Sequence, residues 1–259
     1  MDLTLPRIYS PERIHDASIC KLGADHLRYL KSVLRLKPGD QIIVFDGFGH
    51  EFEARIESFN GKGINVVLEA PLPTREKRIR VTLAQGIPKA GKMDIIVKTV
   101  AELGADEIIP YQAHRSVKRV DAEKASEKVT RWQKIAQEAA RSSRSSIIAS
   151  VKPVLSFDKM LLSADPNARK LIFWEEEQMW HIRDVLQDSE YADFKNFFII
   201  VGPEGGLSRE EVQQAKICGF ISVSLGNQIL KVETAAAAIL SILQYEKGIF
   251  SHTTGEGGK

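Results

Sequence analysis

The chain has 259 residues, room for one large domain or two modest ones, and its 43% hydrophobic and 27% charged content is that of a globular protein, which excludes a fibrous or disordered chain. No run approaches the roughly 20 apolar residues that cross a bilayer, and the opening MDLTLPRIYSPERIHD lacks the basic-then-apolar order of a signal peptide, so no membrane partner and a cytoplasmic location are expected. Net charge is only +2, but residues 74–144 hold 16 Lys and Arg against 9 Asp and Glu, whereas residues 1–73 hold 9 against 10; the basic middle fits a solvated face or a polyanion surface.

Three strand-like runs, QIIVF, EFEARIESF and INVVLEA, fill residues 41–70 and are separated by the turn signals Gly47-Phe48-Gly49 and Asn60-Gly61-Lys62-Gly63. They predict a small antiparallel barrel. Pro71 and Pro73 cannot donate to a ladder and a charge cluster follows them, which sets the expected division: 1–72, 73–247 and a flexible tail, 248–259. From residue 79 strands and helices alternate: RVTLAQ, a helix over 92–103 closed by Gly104, DEIIPY, a long amphipathic helix over about 121–140, KLIFW, a short helix near 178–187, FFIIV, a helix over 209–218, ISVSLG and a last helix over about 232–247. That alternation predicts an α/β domain with a mostly parallel sheet covered by helices on both faces. Ser208 and Glu211 read as a capping box, and Gly219 suits the left-handed position after the helix they start. Cys20 and Cys218 stand far apart with no CxxC, so neither a disulfide framework nor a metal site is expected.

Three loops between strand and helix can carry chemistry. GIPKAGKM, residues 86–93, matches a phosphate-cradling loop until Met93 replaces the magnesium-binding hydroxyl, and Pro88 removes a backbone N–H; Lys89 and Lys92 are left to face a phosphate backbone or solvent. In FFIIVGPEGGLSREEV, residues 197–212, the glycines fall at the wrong spacing for a dinucleotide loop, yet the loop leaves the carboxyl end of a strand, where ligands of such sheets bind. LGNQILKVETAAAA, residues 225–238, repeats the arrangement, with Glu233 and Thr234 in a first helical turn whose N–H groups await partners.

The motifs GPEGGLS followed by Glu211, and LGNQILKVETA, resemble the RsmE-type ribosomal RNA uridine N3-methyltransferases of the SPOUT superfamily. PRIYSPE and HLRYLKSVLRLKPGDQIIVFDG are similar to that family's N-terminal RNA-binding, PUA-like barrel, and LAQGIPKAGKMDIIVKTVAELGADEIIPY to the opening of its catalytic domain, so the likeness runs from residue 6 to about 247. The resemblance implies a SPOUT-type trefoil-knotted, mostly parallel α/β sheet with a small PUA-like β-barrel at the N-terminus. It also implies a homodimer, S-adenosylmethionine as methyl donor without a metal, and N3 of a uridine in 16S ribosomal RNA, free or in the small subunit, as target. Donor-binding residues would be Val201, Gly202, Pro203, Glu204, Gly205, Gly206, Leu225, Gly226, Ile229, Leu230, Thr234 and Ala235. Arg144 and Lys231 would supply positive charge at the base, with Glu233 orienting the loop or acting as base. For RNA the expected contacts are Arg7, Arg35, Lys89, Lys92, Arg115, Lys118 and Arg119. The family usually has arginine where this chain has Gln228 and Lys231, and its mid-domain glycine motif stands here as ARSSRSSIIAS, residues 141–150 within it altered. Two alternatives stay open: another SPOUT activity on a ribose 2′-hydroxyl or a different base, and an RNA-binding or ribosome-assembly factor that has lost catalysis.

Overall fold

Apolar patterning of period two gives way to strand and helix alternation after residue 79, and the chain divides accordingly. The computed structural model describes residues 5–14, 19–61, 63–73, 79–89, 91–114, 122–188 and 194–247. One unit comprises Met1–Glu76 with Gln137–Ile148, the other Lys77–Ala136 with Ala149–Lys259. The return of 137–148 to the first unit has no signal in the local sequence. The tail, 248–259, lies outside the described residues.

In the first unit β1 (Arg7–Tyr9), β2 (Ile19–Gly23), β3 (Gln41–Phe45), β4 (Glu51–Asn60) and β5 (Gly63–Pro71) form one sheet in the order β1-β3-β4-β5-β2. All neighbours are antiparallel except β1 and β3, and the sheet curls into a half-barrel. Alternation does the sorting: in β2 Cys20 and Leu22 turn inward while Ile19 and Lys21 face water, and the inward side chains meet Leu30, Ile42, Val44, Ala54, Ile56, Ile64 and Val66. Leu30 comes from the π-helical stretch, Arg28–Val33, that continues α1 (Asp25–Leu27).

Among its described residues the second unit holds seven parallel strands. They are β6 (Arg80–Gly86), β7 (Glu107–Gln112), β8 (Ser150–Val151), β9 (Leu155–Ser156), β10 (Arg169–Phe173), β11 (Asn196–Val201) and β12 (Ile221–Val223), in the order β12-β10-β11-β6-β7-β8, with β9 also on β7. Between them run α2 (Lys92–Glu102), α3 (Ala122–Ser142), α4 (Phe157–Leu162), α5 (Ile182–Gln187), α6 (Arg209–Ile217) and, last, α7 (Val232–Glu246). Phe197 to Val201 are buried without interruption, as a strand covered on both faces requires. On one face Phe198 and Ile200 join Ile109, Tyr111, Phe157, Met160, Leu207, Val212 and Phe220 in a core where each large side chain contributes about 1.5–3 kcal/mol. Because every strand is parallel, all exits at the carboxyl ends open on one edge. There β10, between β12 and β11, brings three loops together.

Candidate functional site

The loop after β11 is pinned from below. The fully buried Gln85 of β6 donates from Nε2 to the Gly202 carbonyl at 3.2 Å and to Gly86 at 2.9 Å, and Tyr111 of β7 donates its hydroxyl to the Val201 carbonyl at 3.1 Å. Burial first, and the charge of Glu211 second, push the Tyr111 phenol well up, so it stays a donor. Pro203 rests directly on Gly86, where any side chain would meet Pro203 Cδ at 2.6 Å. The turn closes with Gly206 N–H donating to the Pro203 carbonyl at 2.9 Å and Gly206 left-handed at φ 70°; a Cβ there would collide with the Glu175 carboxylate. Beyond it the capping box forms as expected. Ser208 Oγ accepts the Glu211 N–H at 3.1 Å, and the buried Glu211 accepts the Ser208 N–H at 2.8 Å and that of His114 at 2.8 Å.

Glu204 ties this loop sideways. Its carboxylate accepts the Lys89 N–H at 2.9 and 3.2 Å and lies 3.2 Å from Lys92 Nζ, which also lies 3.5 Å from Glu233 Oε2 in the first turn of α7. Lys92, expected to grip RNA, has its ammonium between two carboxylates. The hydrogen bond to Glu204 is the main reason its pKa is raised. Partial burial pushes Glu204 up, but the Lys89 N–H and Lys92 outweigh it and hold the carboxyl below its ordinary value.

The loop after β10 is the wall that sequence reasoning did not supply. KLIFW announces its strand and a short helix is expected near 178–187, but the helix starts only at Ile182, and the exit, Trp174 to His181, has no glycine to mark it as a loop. Ser224, just past β12, donates its N–H to the Trp180 carbonyl at 2.8 Å and accepts the Ile182 N–H at 3.0 Å, which stitches the β10 and β12 exits together. Glu177, pushed up by burial, is held lower by Ser222, the Met179 N–H and Lys216.

Between the three loops lies a cavity of about 660 Å³, within the range of small-molecule sites. Of the expected donor-binding residues, Val201, Gly202, Pro203, Glu204, Gly206, Leu225, Gly226, Ile229, Leu230 and Ala235 line it; Gly205 and Thr234 do not. Lys231 and Lys92 line it too, as do Trp174, Glu175, Glu177, Gln178 and His181. Asn227 to Leu230 make no hydrogen bond within the described residues, so their N–H and C=O groups remain for a ligand. No group of three His, Cys, Asp or Glu side chains among the described residues is placed to hold a metal ion.

The remaining expected residues fall elsewhere. Arg144 belongs to the first unit, left-handed at φ 58°. Arg7 is only 8% exposed, ion-paired to Glu51, donating to the Ser145 carbonyl at 3.1 Å and lying over the Phe45 ring, so that its guanidinium is engaged within the first unit. Arg35 and the Lys89 side chain are exposed. Arg115, Lys118 and Arg119 lie outside the described residues.

Comparison with known proteins gives a consistent set of relatives. A family model described as an RNA methyltransferase domain matches residues 75–244, and one described as an RNA methyltransferase PUA domain matches residues 22–69. The chain is 32% identical over 238 residues to a ribosomal RNA small subunit methyltransferase E of Bacillus subtilis, covering 91% of this chain and 93% of the relative. It is 30% identical to the protein of that name from Synechocystis, covering 90% and 75%. A crystal structure of a ribosomal RNA small subunit methyltransferase E from Neisseria gonorrhoeae, bound to S-adenosyl methionine, superposes with a TM-score of 0.83 at 28% identity, covering 93% of this chain and 97% of that one.

Proposed function

The chain belongs to the ribosomal RNA small subunit methyltransferase E family, and from that premise we propose that it transfers the methyl group of S-adenosylmethionine to N3 of a uridine in small-subunit ribosomal RNA. The observation that carries this reading is the cavity where the exits of β10, β11 and β12 converge, walled by glycine loops and main-chain groups. When bound, the donor supplies a methyl group made electrophilic by its sulfonium. Unpaired N–H and C=O groups of Asn227–Leu230 and the glycine surface at Gly202, Gly206 and Gly226 suit a ligand held by backbone, while Glu175, Glu177 and Glu204 give the wall the negative charge a sulfonium favours.

Uracil N3 carries a proton at neutral pH, and that proton must leave before N3 can attack. Lys231, exposed at the N-terminus of α7, and Arg144 supply cationic stabilisation to the uracil anion, and Glu233, fixed by Lys92, orients the loop or receives the proton. Arg35 and Lys89 contribute phosphate contacts, joined by Arg115, Lys118 and Arg119, and affinity for RNA falls steeply with salt. The target base leaves any helix before it reacts, since pairing covers N3. We extend the family likeness to a trefoil knot through the second unit, to a homodimer and to the cytoplasm, where ribosomal RNA is the substrate.

Nucleoside mass spectrometry of ribosomal RNA, with small subunits as substrate in vitro, tests the reading. The wild type adds one N3-methyluridine; Arg144→Ala and Lys231→Ala each lose most of that activity with donor affinity retained. Methylation at another atom, or undiminished transfer by both variants, overturns it.

A further inference from the structure

The turn between β3 and β4 carries a feature that the donor cavity does not use. Phe48 stands at its tip with 58% of its surface exposed. A single exposed apolar residue is ordinary. This one is held from two sides. The buried Asp46 accepts the Phe48 N–H at 2.8 Å and the His50 N–H at 3.2 Å, while its other oxygen takes His50 Nδ1 at 2.7 Å and the Ile14 N–H at 3.4 Å. Opposite, Phe48 forms an antiparallel bridge with Ile147, Gly49 N–H donates to the Ser146 carbonyl at 3.0 Å, and Ile148 N–H donates to the Gly47 carbonyl at 3.0 Å. The turn and residues 145–148 are therefore one piece, which starts directly after Arg144.

The Arg13 guanidinium lies 4.8 Å from the Phe48 ring centroid. Of the exposed large apolar side chains among the described residues of this unit, Ile19, Val33 and Phe48, only Phe48 offers a π face. A planar cation beside an exposed aromatic ring is how proteins hold an unstacked nucleobase: the ring stacks on the base, the guanidinium stacks or meets the neighbouring phosphate, and a pre-ordered turn loses little entropy on binding. We infer that Phe48 and Arg13 form a stacking site for one unpaired base of the RNA substrate, fixed next to the segment that bears Arg144. The inference rests on the RNA methyltransferase reading and adds a base contact that does not depend on charge.

The test uses the full chain with Phe48→Leu, Phe48→Trp and Arg13→Gln, titrated with small ribosomal subunits and with a single-stranded RNA 12-mer carrying 2-aminopurine. Phe48→Leu is expected to weaken binding of both about 5- to 150-fold, the range for loss of one base stack, with the salt slope unchanged because no cation is removed. Phe48→Trp keeps affinity within about twofold, and its added indole fluorescence is quenched by RNA. Arg13→Gln weakens binding and lowers the salt slope by about one. S-adenosylmethionine affinity and melting temperature stay at wild-type values in all three, which separates a stacking role from misfolding. Wild-type RNA affinity in Phe48→Leu, an unquenched Phe48→Trp, or quenching by subunits but not by the 12-mer, which would assign the site to a ribosomal protein, overturns the inference. A wild type that binds RNA with these signatures but transfers no methyl group would instead break the enzymatic reading and leave the stacking site standing.

Discussion

The two exits on either side of β10 reach the same cavity but are held in opposite ways. The one after β11 is bonded at nearly every residue: Val201 to Tyr111, Gly202 to Gln85, Pro203 to Gly206 and Glu204 to Lys89 and Lys92, with Pro203 resting on Gly86. The one after β12 is tied at Ser224 and Gly226, then runs through Asn227–Leu230 without a hydrogen bond to the described residues, and leaves Ile229 89% exposed. One side of the site is built before the ligand arrives; the other keeps its backbone groups for it. The built side spends no ordering entropy on binding and sets position, while the open side gains its partners only from the ligand.

The comparison breaks most sharply at two glycines. Gly86→Ala places a methyl group 2.7 Å from Pro203 N and 3.0 Å from the Gly202 carbonyl carbon, so backbone must move, and S-adenosylmethionine affinity is expected to fall about 10- to 100-fold with about 1–3 kcal/mol of stability lost. Gly226→Ala meets nothing within 4 Å and is strained only by its φ of 108°, which costs about 1–2 kcal/mol. Calorimetric titration of both variants settles the contrast; equal losses of affinity would mean that the two loops are equally preformed. Next comes Glu211→Ala, which strands the buried N–H of Ser208 and the part-buried N–H of His114 and should lower unfolding free energy by about 2–4 kcal/mol in urea melts.

Lys92 sharpens the comparison at intermediate size. Lys92→Met removes the cation that joins Glu204 to Glu233 and is expected to weaken the donor about two- to fivefold, as for a partly exposed pair. Glu204, with its pKa depressed, contributes above 4.5 and loses its contribution as pH falls through the lower folded value; Lys92, raised, contributes below 10.5 and loses its contribution as pH rises through the higher one. Stability is therefore level between those limits, and Lys92→Met moves the acid limb of urea melts upward because Glu204 loses a cation that helps hold its carboxyl down. A salt slope for RNA unchanged in Lys92→Met would show that this lysine serves the donor loops rather than the phosphate backbone.

Legibility in the sequence followed local chemistry. Strands β3 to β7 and β10 to β12, the capping box at Ser208 and both glycine exits are legible because each is written in consecutive residues. Strands β1, β2, β8 and β9 are not legible in this way; the last two hold two residues each, too few to show a period. The wall from Trp174 to His181 carries no signal of its own; it reaches the site because β10 is sandwiched between β12 and β11, a matter of strand order. Arg7 and Lys92 read as free cations because nothing nearby in sequence announces Glu51, Glu204 or Glu233 as their partners.

The smallest expected effect concerns the open loop itself. Gln228 lines the cavity where the family usually has arginine, and none of its atoms hydrogen-bonds the rest of the described protein. Gln228→Arg therefore disturbs no contact, and stability should stay within about 0.5 kcal/mol. The added guanidinium has no carboxylate committed to it, unlike Lys92, so it should reach RNA phosphate and steepen the salt dependence of RNA binding by about one unit of log–log slope. Filter binding at several salt concentrations reads this directly. If the slope is unchanged while melting temperature rises, the arginine has found a partner within the protein, and the β12 exit is less open than its unpaired backbone implies.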